Sequence, residues 1–325
     1  MTTSVAIVGL GSMGKNHLRV ISSLPDAKVI GVLDYAISQE SLNTKLFSSL
    51  DDLIESKPDY CVIAVPTIAH EEYALELLSN GINILIEKPL SHNYESALRI
   101  LEASRSSTAF GGVGHIERFN SAVVEARKRI IDGQLGEIFQ ISTSRQGPFP
   151  SRINDVGVVK DLATHDIDLV GFLTSSRYLS LCAQSISRAG RVNEDLVSIV
   201  GKLENDIVFS HNINWLSPRK QRSIEVIGEK GLFLIDLLSS DLFYFANGKH
   251  KNLHREIAHF RGVSQGDTIQ YSFERKEPLV VEHENFIRAM RGQNSTTIDF
   301  ENAAEVVWVA DAAIKSSSLQ EIVML

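Results

Sequence analysis

The chain has 325 residues, 43% of them apolar and 22% charged, and a net charge of −8. This composition supplies enough apolar side chains for buried cores and excludes a disordered or low-complexity protein, and the length favours two domains. The acidic balance argues against nucleic acid as the main partner, because phosphate backbones bind a basic surface. A small phosphate-bearing ligand needs only a few local cations and is compatible with this charge.

The N-terminus and the cysteines indicate the compartment. The opening MTTSVAIVGLGSMG has no basic flank, and no apolar run approaches the roughly 20 residues that span a bilayer, so we expect neither a signal peptide nor a membrane partner. Cys61 and Cys182 belong to no CxxC pattern. The sequence therefore predicts no disulfide framework, no metal site and a cytoplasmic location.

The first 113 residues alternate between short β-rich runs and amphipathic helical segments. Nearly all-apolar strands that alternate with helices indicate a parallel sheet covered on both faces, in an α/β doubly wound arrangement. The predicted strands cover residues 5–9, 28–34, 60–65, 82–87 and 109–113.

After Gly114 the pattern changes to that of an α+β domain. Strand-like runs follow one another at hairpin spacing, which predicts an open, mainly antiparallel sheet. The predicted domains are therefore residues 1–115 and 116–325. We expect helices over 121–131, 161–173, 280–291 and 300–315, and strands over 137–145, 179–187, 195–203, 207–215, 223–227 and 231–236, with 247–273 unassigned.

A glycine-rich turn follows the first predicted strand directly and opens a helix. Its sequence is Gly9-Leu10-Gly11-Ser12-Met13-Gly14, the GxGxxG pattern. The first glycine suits a tight turn, the second lets the backbone approach a pyrophosphate, and the third permits close packing of helix and strand. The helix N-terminus offers unpaired N–H groups to the phosphates. The turn, including Ser12 and Met13, is therefore a predicted dinucleotide site.

Asp34 ends the second predicted strand, 20 residues after Gly14. A carboxylate at this place can accept hydrogen bonds from a ribose diol and would repel a 2′-phosphate. The sequence thus favours NAD over NADP. An ordinary turn aspartate is the alternative interpretation.

The predicted strand over 82–87 ends in Glu87-Lys88-Pro89. Ligands of a doubly wound sheet lie beyond the carboxyl ends of its strands, so Lys88 is expected to point toward the cofactor. Pro89 favours an extended backbone at Lys88 and helps to fix its direction. A lysine beside a carbinol can polarise or orient it.

A third pattern is DLATHDIDL, at the start of the predicted helix of the second domain. Asp161, His165 and Asp168 fall at i, i+4 and i+7 and are expected to share one helix face. Carboxylates one turn either side of a histidine can fix its tautomer, which suits a general base. A solvated acidic face is the alternative, and no cysteine or second histidine stands in register for a metal.

In this order the elements VAIVGLGSMGKNHLRV, DYCVIAVPTIAHEEYALELLSNGINILIEKPL and DLATHDIDL resemble the glucose–fructose oxidoreductase, inositol dehydrogenase and rhizopine-catabolism (Gfo/Idh/MocA) family. The resemblance implies a Rossmann domain followed by a substrate domain with an open sheet. It also implies a homodimer or homotetramer formed through that sheet, and NAD(P)-dependent dehydrogenase activity on a sugar or cyclitol carbinol.

The resemblance also implies roles for individual residues. Lys88, Asp161 and His165 match the family's catalytic lysine, aspartate and histidine, with His165 contacting the substrate and taking its hydroxyl proton. The cofactor-side residues implied in addition to those of the glycine turn are Pro66, Thr67, His70 and Glu87.

Within the family, GHIERFN and RQGPFPSRINDVGVVKDLATHDIDL resemble the branch that oxidises UDP-N-acetylglucosamine at C3, although Ser121 stands where proline is expected. That substrate requires cations for its diphosphate. Arg118, Arg145 and Arg152 are the predicted substrate-binding residues. Further along the chain are Arg219, Lys220 and Arg222, for which a solvated hairpin tip is the alternative.

Three other functions are compatible with these residues. The chain could act on inositol or a free sugar, it could bind NAD as a non-catalytic sensor, or it could be a glycosidase that uses NAD transiently.

Overall fold

In the computed structural model, which describes residues 2–149, 156–188, 190, 192–248 and 265–325, the N-terminal apolar runs form a parallel sheet. Among the described residues this sheet has five strands in the order β2-β1-β3-β4-β5. The α/β prediction for this part is confirmed. The strands are β1 (Thr3–Val8), β2 (Ala27–Leu33), β3 (Tyr60–Ile63), β4 (Asn83–Glu87) and β5 (Gly111–Gly114).

Helices connect these strands, as parallel pairing requires. They are α1 (Ser12–Ser23), α2 (Leu50–Glu55), α3 (His70–Ser79) and α4 (Tyr94–Ser106).

The chain divides into two units, and the first is built from two segments, Met1–Phe119 and Lys276–Asp311. The predicted division at 115/116 assigned everything after it to the second domain, whereas helix α7 (Pro278–Met290) belongs to the first unit. Its Phe286 is fully buried and packs in one cluster with Val5, Ile7 and Tyr60. Burying one such side chain contributes about 1.5–3 kcal/mol, which explains why this late segment joins the parallel sheet.

The second unit, Asn120–Arg275 with Ala312–Leu325, contains a sheet of nine strands among its described residues. The order is β13-β12-β11-β10-β6-β9-β8-β7-β14, antiparallel except for the parallel pair β6–β9. The predicted open, mainly antiparallel sheet is confirmed. Its strands are β6 (Ile138–Pro148), β7 (Tyr178–Ile186), β8 (Leu196–Leu203), β9 (Val208–Asn214), β10 (Leu216–Gly228), β11 (Gly231–Asp236), β12 (Asp241–Asn247), β13 (Gln265–Gln270) and β14 (Val323–Met324).

Two of these strands are longer than the sequence indicated. β10 starts at Leu216 rather than 223, because Leu216 pairs with Pro148 of β6 and, beyond a register shift, residues 221–227 pair continuously with β6. β6 correspondingly continues to Pro148, beyond its predicted end at residue 145.

Helices α5 (Ser121–Ile131) and α6 (Thr164–Thr174) belong to this unit. Helix α8 (Phe300–Leu319) begins in the first unit and ends in the second. Among the described parts of the chain, no helix is both long and apolar enough to cross a bilayer.

Candidate active site

Close contacts leave no room for a side chain at two of the three glycines of the turn. Gly9 has φ 87°, and a Cβ there would lie 2.6 Å from the Ala64 carbonyl oxygen. A Cβ at Gly14 would lie 2.0 Å from the Gly9 carbonyl oxygen. Neither distance is possible for a real side chain, so both positions require glycine. These contacts hold the start of α1 against the ends of β1 and β3.

Gly11 differs, because a Cβ there would meet nothing within 4 Å. It is the N-cap of α1, makes no side-chain cap, and leads into a first turn without acidic residues. The exposed Ser12 and half-buried Met13 continue the turn. Open space over uncapped N–H groups and a positive helix end is what a pyrophosphate needs. The residues of this turn therefore fit NAD.

Asp34 lies just after β2 and accepts two backbone hydrogen bonds. Its Oδ2 accepts from the Leu10 amide at 2.7 Å, and its Oδ1 accepts from the Ala36 amide at 2.8 Å. A carboxylate has about four acceptor sites, so both oxygens retain capacity for ribose hydroxyls. The predicted ribose ligand is thus held beside the glycine turn.

Pro66, Thr67 and His70 follow β3, which lies next to β1 in the sheet. Pro66 is exposed and Thr67 opens a 3-10 turn, Thr67–Ala69. His70 is buried, with Nδ1 3.0 Å from the Pro89 carbonyl oxygen and Nε2 3.0 Å from that of Val65. Burial lowers its pKa, although the contacts with the two carbonyl oxygens act in the opposite direction. Its ring links two loops of the first unit.

Glu87 and Lys88 end β4. Glu87 is buried, its Oε1 lies 2.8 Å from Nε2 of His17, and its Oε2 accepts from the Lys88 backbone amide at 3.1 Å. Lys88 is half-buried, and the Lys88–Pro89 peptide bond is cis. Sequence reasoning missed His17, although a histidine three residues after Gly14 on the buried face of α1 is a usable signal.

The start of α6 is a π-turn, Val159–Ala163, rather than the regular helix predicted from Asp161. The Glu194 carboxylate accepts from the Val159 amide at 3.0 Å, and it lies so close to Gly157 that a Cβ there would fall 2.1 Å away. Single π-turns are frequent at functional sites. The π-turn interrupts the regular helical spacing on which the predicted shared face of Asp161, His165 and Asp168 was based.

The π-turn and α6 carry the predicted acid–base residues. Asp161 is buried at 9% exposure, His165 is half-buried, and Asp168 is buried. Partly buried titratable groups on a helix start can take part in proton transfer.

A cavity of about 280 Å³ lies in the second unit beside Asp161. Its wall combines cations with the Trp215 ring, and Arg222 pairs in register with Arg145 on the neighbouring strand. The lining residues are Arg145, Gln146, Gly147, Pro148, Asp161, Leu162, Trp215, Lys220 and Arg222.

The predicted substrate arginines have different surroundings. Arg145 is 1% exposed, and its Nε donates to Oδ1 of the buried Asp166 at 3.0 Å. Its charge is therefore balanced inside the protein. Arg118 lies in the first unit on a 3-10 turn, Ile116–Phe119, and Arg152 lies outside the described residues. Arg219 is exposed on β10 and does not line the cavity.

In the part of the chain that the structure describes, no group of three or more metal-ligating side chains is assembled. The fold and the glycine turn define a two-domain NAD-binding oxidoreductase. Residues 3–115 match the family described as an oxidoreductase family with an NAD-binding Rossmann fold, and residues 123–234 match the GFO/IDH/MocA C-terminal domain. The chain belongs to the Gfo/Idh/MocA family, and the predicted enzyme class and NAD cofactor are confirmed.

The sequence identity to individual relatives is low. Inositol 2-dehydrogenase 2 of Saccharopolyspora erythraea is 27% identical over 66% of this chain and 67% of its own. The structure of UDP-N-acetylglucosamine 3-dehydrogenase from Acidithiobacillus ferrooxidans superposes with a TM-score of 0.84 at 21% identity, covering 98% of both chains. The WlbA dehydrogenase from Bordetella pertussis, in complex with NADH and UDP-GlcNAcA, has a TM-score of 0.84 at 20% identity, covering 100% of this chain and 98% of its own. These likenesses establish the fold.

Proposed function

We propose that the protein is an NAD-dependent dehydrogenase that oxidises a secondary alcohol of a sugar, specifically a nucleotide sugar such as UDP-N-acetylglucosamine at C3. The cavity of the second unit carries this proposal. It brings Asp161 together with Lys220, Arg222 and Trp215. Cations beside an aromatic ring and a carboxylate suit a ligand with a phosphate, a ring and hydroxyl groups.

The chain's own residues are assigned the following tasks. His165 accepts the proton of the substrate hydroxyl as general base, and Asp161 holds the imidazole in the tautomer that can do so. Lys88 donates a hydrogen bond to the reacting oxygen and orients it. NAD, when bound, supplies the acceptor for the carbinol hydride. The tasks of Lys88, Asp161 and His165 are those implied by the family pattern.

The cations of β10 support a nucleotide sugar over a neutral one. The sequence pointed to Arg118, Arg145 and Arg152 for the diphosphate, yet Arg145 is already paired with Asp166. Lys220 is exposed, Arg222 is half-buried, and both line the cavity. We therefore assign the anionic part of the substrate to Lys220 and Arg222.

Inositol is the second candidate, because the inositol dehydrogenase mentioned above is 27% identical to this chain. Reduced-nicotinamide absorbance distinguishes the candidates when enzyme and NAD are mixed with UDP-N-acetylglucosamine, inositol or free sugars. Turnover of the nucleotide sugar alone supports the proposal. Turnover of inositol or a free sugar alone contradicts the nucleotide-sugar assignment, and binding of NAD without turnover of any of them favours a sensor.

The sheet of the second unit offers a surface for self-association. Val200 on β8 and Val208 on β9 lie on one face of the sheet and are 50% and 38% exposed. We assign a homodimer or homotetramer to this face, and light scattering of wild type and Val200→Asp measures it. A wild-type monomer contradicts the assignment.

A further inference from the structure

A row of buried polar side chains runs through the core of the first unit. Tyr60 on β3, His17 on α1 and His283 on α7 are each 0% exposed, and Glu87 on β4 is 8% exposed. The Tyr60 hydroxyl lies 2.9 Å from Nδ1 of His283, Nε2 of His283 lies 2.9 Å from Nδ1 of His17, and Nε2 of His17 lies 2.8 Å from Glu87 Oε1. Four elements thus contribute to one chain of hydrogen bonds.

The acceptors fix the direction of this chain. Burial raises the pKa of Tyr60, which keeps its hydroxyl protonated, and burial lowers the pKa of His283 far enough to keep that ring neutral. Tyr60 then donates to His283, His283 donates to His17, and His17 donates to Glu87. The opposite direction would leave the Tyr60 proton without an acceptor among the described residues, at a cost in free energy.

Glu87 is the end of the chain and its only anion. Burial alone would raise its pKa, but the hydrogen bond from His17, with the charge and backbone amide of Lys88, brings the pKa below the ordinary value. A second buried carboxyl, Glu282, comes from α7. Both carboxyls flank Gly114, where a Cβ would lie 3.5 Å from Glu282 Oε1 and 3.6 Å from the Glu87 carboxyl carbon.

Glu282 is kept neutral. It is 0% exposed, and neither of its oxygens has a hydrogen-bond partner among the residues that the structure describes. Burial and the negative charge of Glu87 raise its pKa well above the ordinary range. The pair of buried carboxyls, Glu87 and Glu282, therefore carries one negative charge. The hydrogen bond from His17 places that charge on Glu87.

The two oxygens of Glu87 have different tasks. Oε1 is held by His17, and Oε2 accepts from the backbone amide of Lys88. A carboxylate held at one oxygen presents the other in a fixed direction. We propose that His17, itself held by His283 and Tyr60, is a positioning residue that sets the backbone of Lys88 through Glu87. This inference rests on the function proposed above for Lys88.

Two variants with amide side chains, His17→Gln and His17→Asn, test the two hydrogen bonds of His17 one at a time. In His17→Gln the side-chain amide can occupy the place of Nε2 and still donate to Glu87. In His17→Asn it occupies the place of Nδ1, so it reaches His283 but not Glu87. Both are polar and uncharged. Adding Glu282→Gln to every protein removes the second carboxyl, so that Glu87 is the carboxyl that titrates beside Lys88.

The first measurement is the shift of the Lys88 amide in protein labelled with ¹⁵N-lysine, followed against pH without ligand. The peak is assigned by its loss in Lys88→Arg. In the proteins with histidine or glutamine at position 17, we expect the Lys88 amide shift to stay constant down to about pH 5. In the His17→Asn protein we expect the shift to change at a pH at least about one unit higher. Identical titrations of the Gln and Asn proteins would overturn the proposal.

The second measurement is steady-state kinetics of the same variants. We expect His17→Asn to lower kcat about tenfold with an unchanged KM for NAD, because a small displacement of a reacting group is costly. We expect His17→Gln to keep kcat close to that of the wild type. Lower thermal stability with unchanged kcat would show a purely structural role and overturn the proposal. Wild-type kcat in Lys88→Ala would instead remove the function proposed for Lys88, whatever the amide titration shows.

Discussion

The backbone amide of Leu10 donates to Oδ2 of Asp34 at 2.7 Å, so the carboxylate after β2 is tied to the glycine turn after β1. The carboxylate predicted to bind the ribose and the turn predicted to bind the pyrophosphate are therefore joined by a direct hydrogen bond. A change at Asp34 alters both the charge and the support of the turn.

Asp34→Asn is expected to weaken the preference for NAD over NADP. The amide keeps a hydrogen-bond acceptor for Leu10 but removes the charge that repels a 2′-phosphate. We expect the ratio of kcat/KM for NAD to that for NADP to fall about tenfold or more, an effect of the size of one charged hydrogen bond. Asp26→Asn, the same change at an exposed loop position, should leave the ratio unaltered.

Gly11→Ala and Gly14→Ala are expected to fail in different ways. The new methyl at Gly11 meets nothing in the protein and projects into the space over the α1 N-terminus, so NAD affinity should fall while thermal stability is kept. The methyl at Gly14 would overlap the Gly9 carbonyl, so this variant should lose stability. Calorimetric NAD titration and thermal unfolding measure both. Tight NAD binding by Gly11→Ala would contradict the pyrophosphate assignment.

Lys88→Ala and His165→Ala are each expected to lower kcat by about 10²-fold or more, since a single positioned acid or base contributes this much. Binding of NAD should survive in both. Fluorescence of bound NADH provides the binding control. Wild-type turnover of either variant would remove that residue from the mechanism.

Lys220→Ala and Arg222→Ala are each expected to raise KM for UDP-N-acetylglucosamine about tenfold or more, because each removes a hydrogen bond to a charged group. KM for inositol should hardly change. Arg219→Ala is the matched control, since Arg219 lies on the same strand outside the cavity lining. Equal effects on both substrates would contradict the anionic subsite. Arg145→Ala is unsuitable, because unpairing the buried Asp166 costs about 3–5 kcal/mol of stability.

His211 should make the second unit acid-sensitive. Burial lowers its pKa to about 3, so between pH 6.5 and 3 the unfolded chain binds a proton that the folded one does not, and stability falls as pH falls. From pH 7.5 to 5.5 this contributes a loss of about 1.4 kcal/mol, which His211→Leu should abolish. Thr143→Val, which removes a polar contact of His211 at 2.8 Å, should lower stability without changing this slope. Urea unfolding at both pH values measures the difference.

The sequence predicted those features that depend on neighbours along the chain. The glycine spacing predicts the turn because the contact of Gly14 with the Gly9 carbonyl is local to the strand–turn–helix segment. The contact of Gly9 with Ala64 is not local and lay outside that pattern. Alternation of apolar runs is sufficient for the parallel sheet. The family pattern supplied the candidates Lys88, Asp161 and His165, but not their surroundings.

The features that could not be predicted from the sequence depend on residues far apart along the chain. The π-turn at Asp161 is held by Glu194, and nothing near residue 160 indicates that contact. Arg145 was predicted to bind the substrate, and the sequence did not indicate that Asp166 on a helix pairs with it in the core. The contact between His17 and His283 joins residues 266 positions apart. Periodicity carries no information about such pairs.

The two-segment construction of the first unit has a consequence for its synthesis. Phe286 and Ile287 pack in the same core as Val5 and Ile7, so a nascent chain that ends at Phe119 lacks part of the surface that closes this core. The ribosome must make strands β6 to β13 of the second sheet before α7 emerges. The first unit, although it begins the chain, is therefore completed only after most of the second unit has been made.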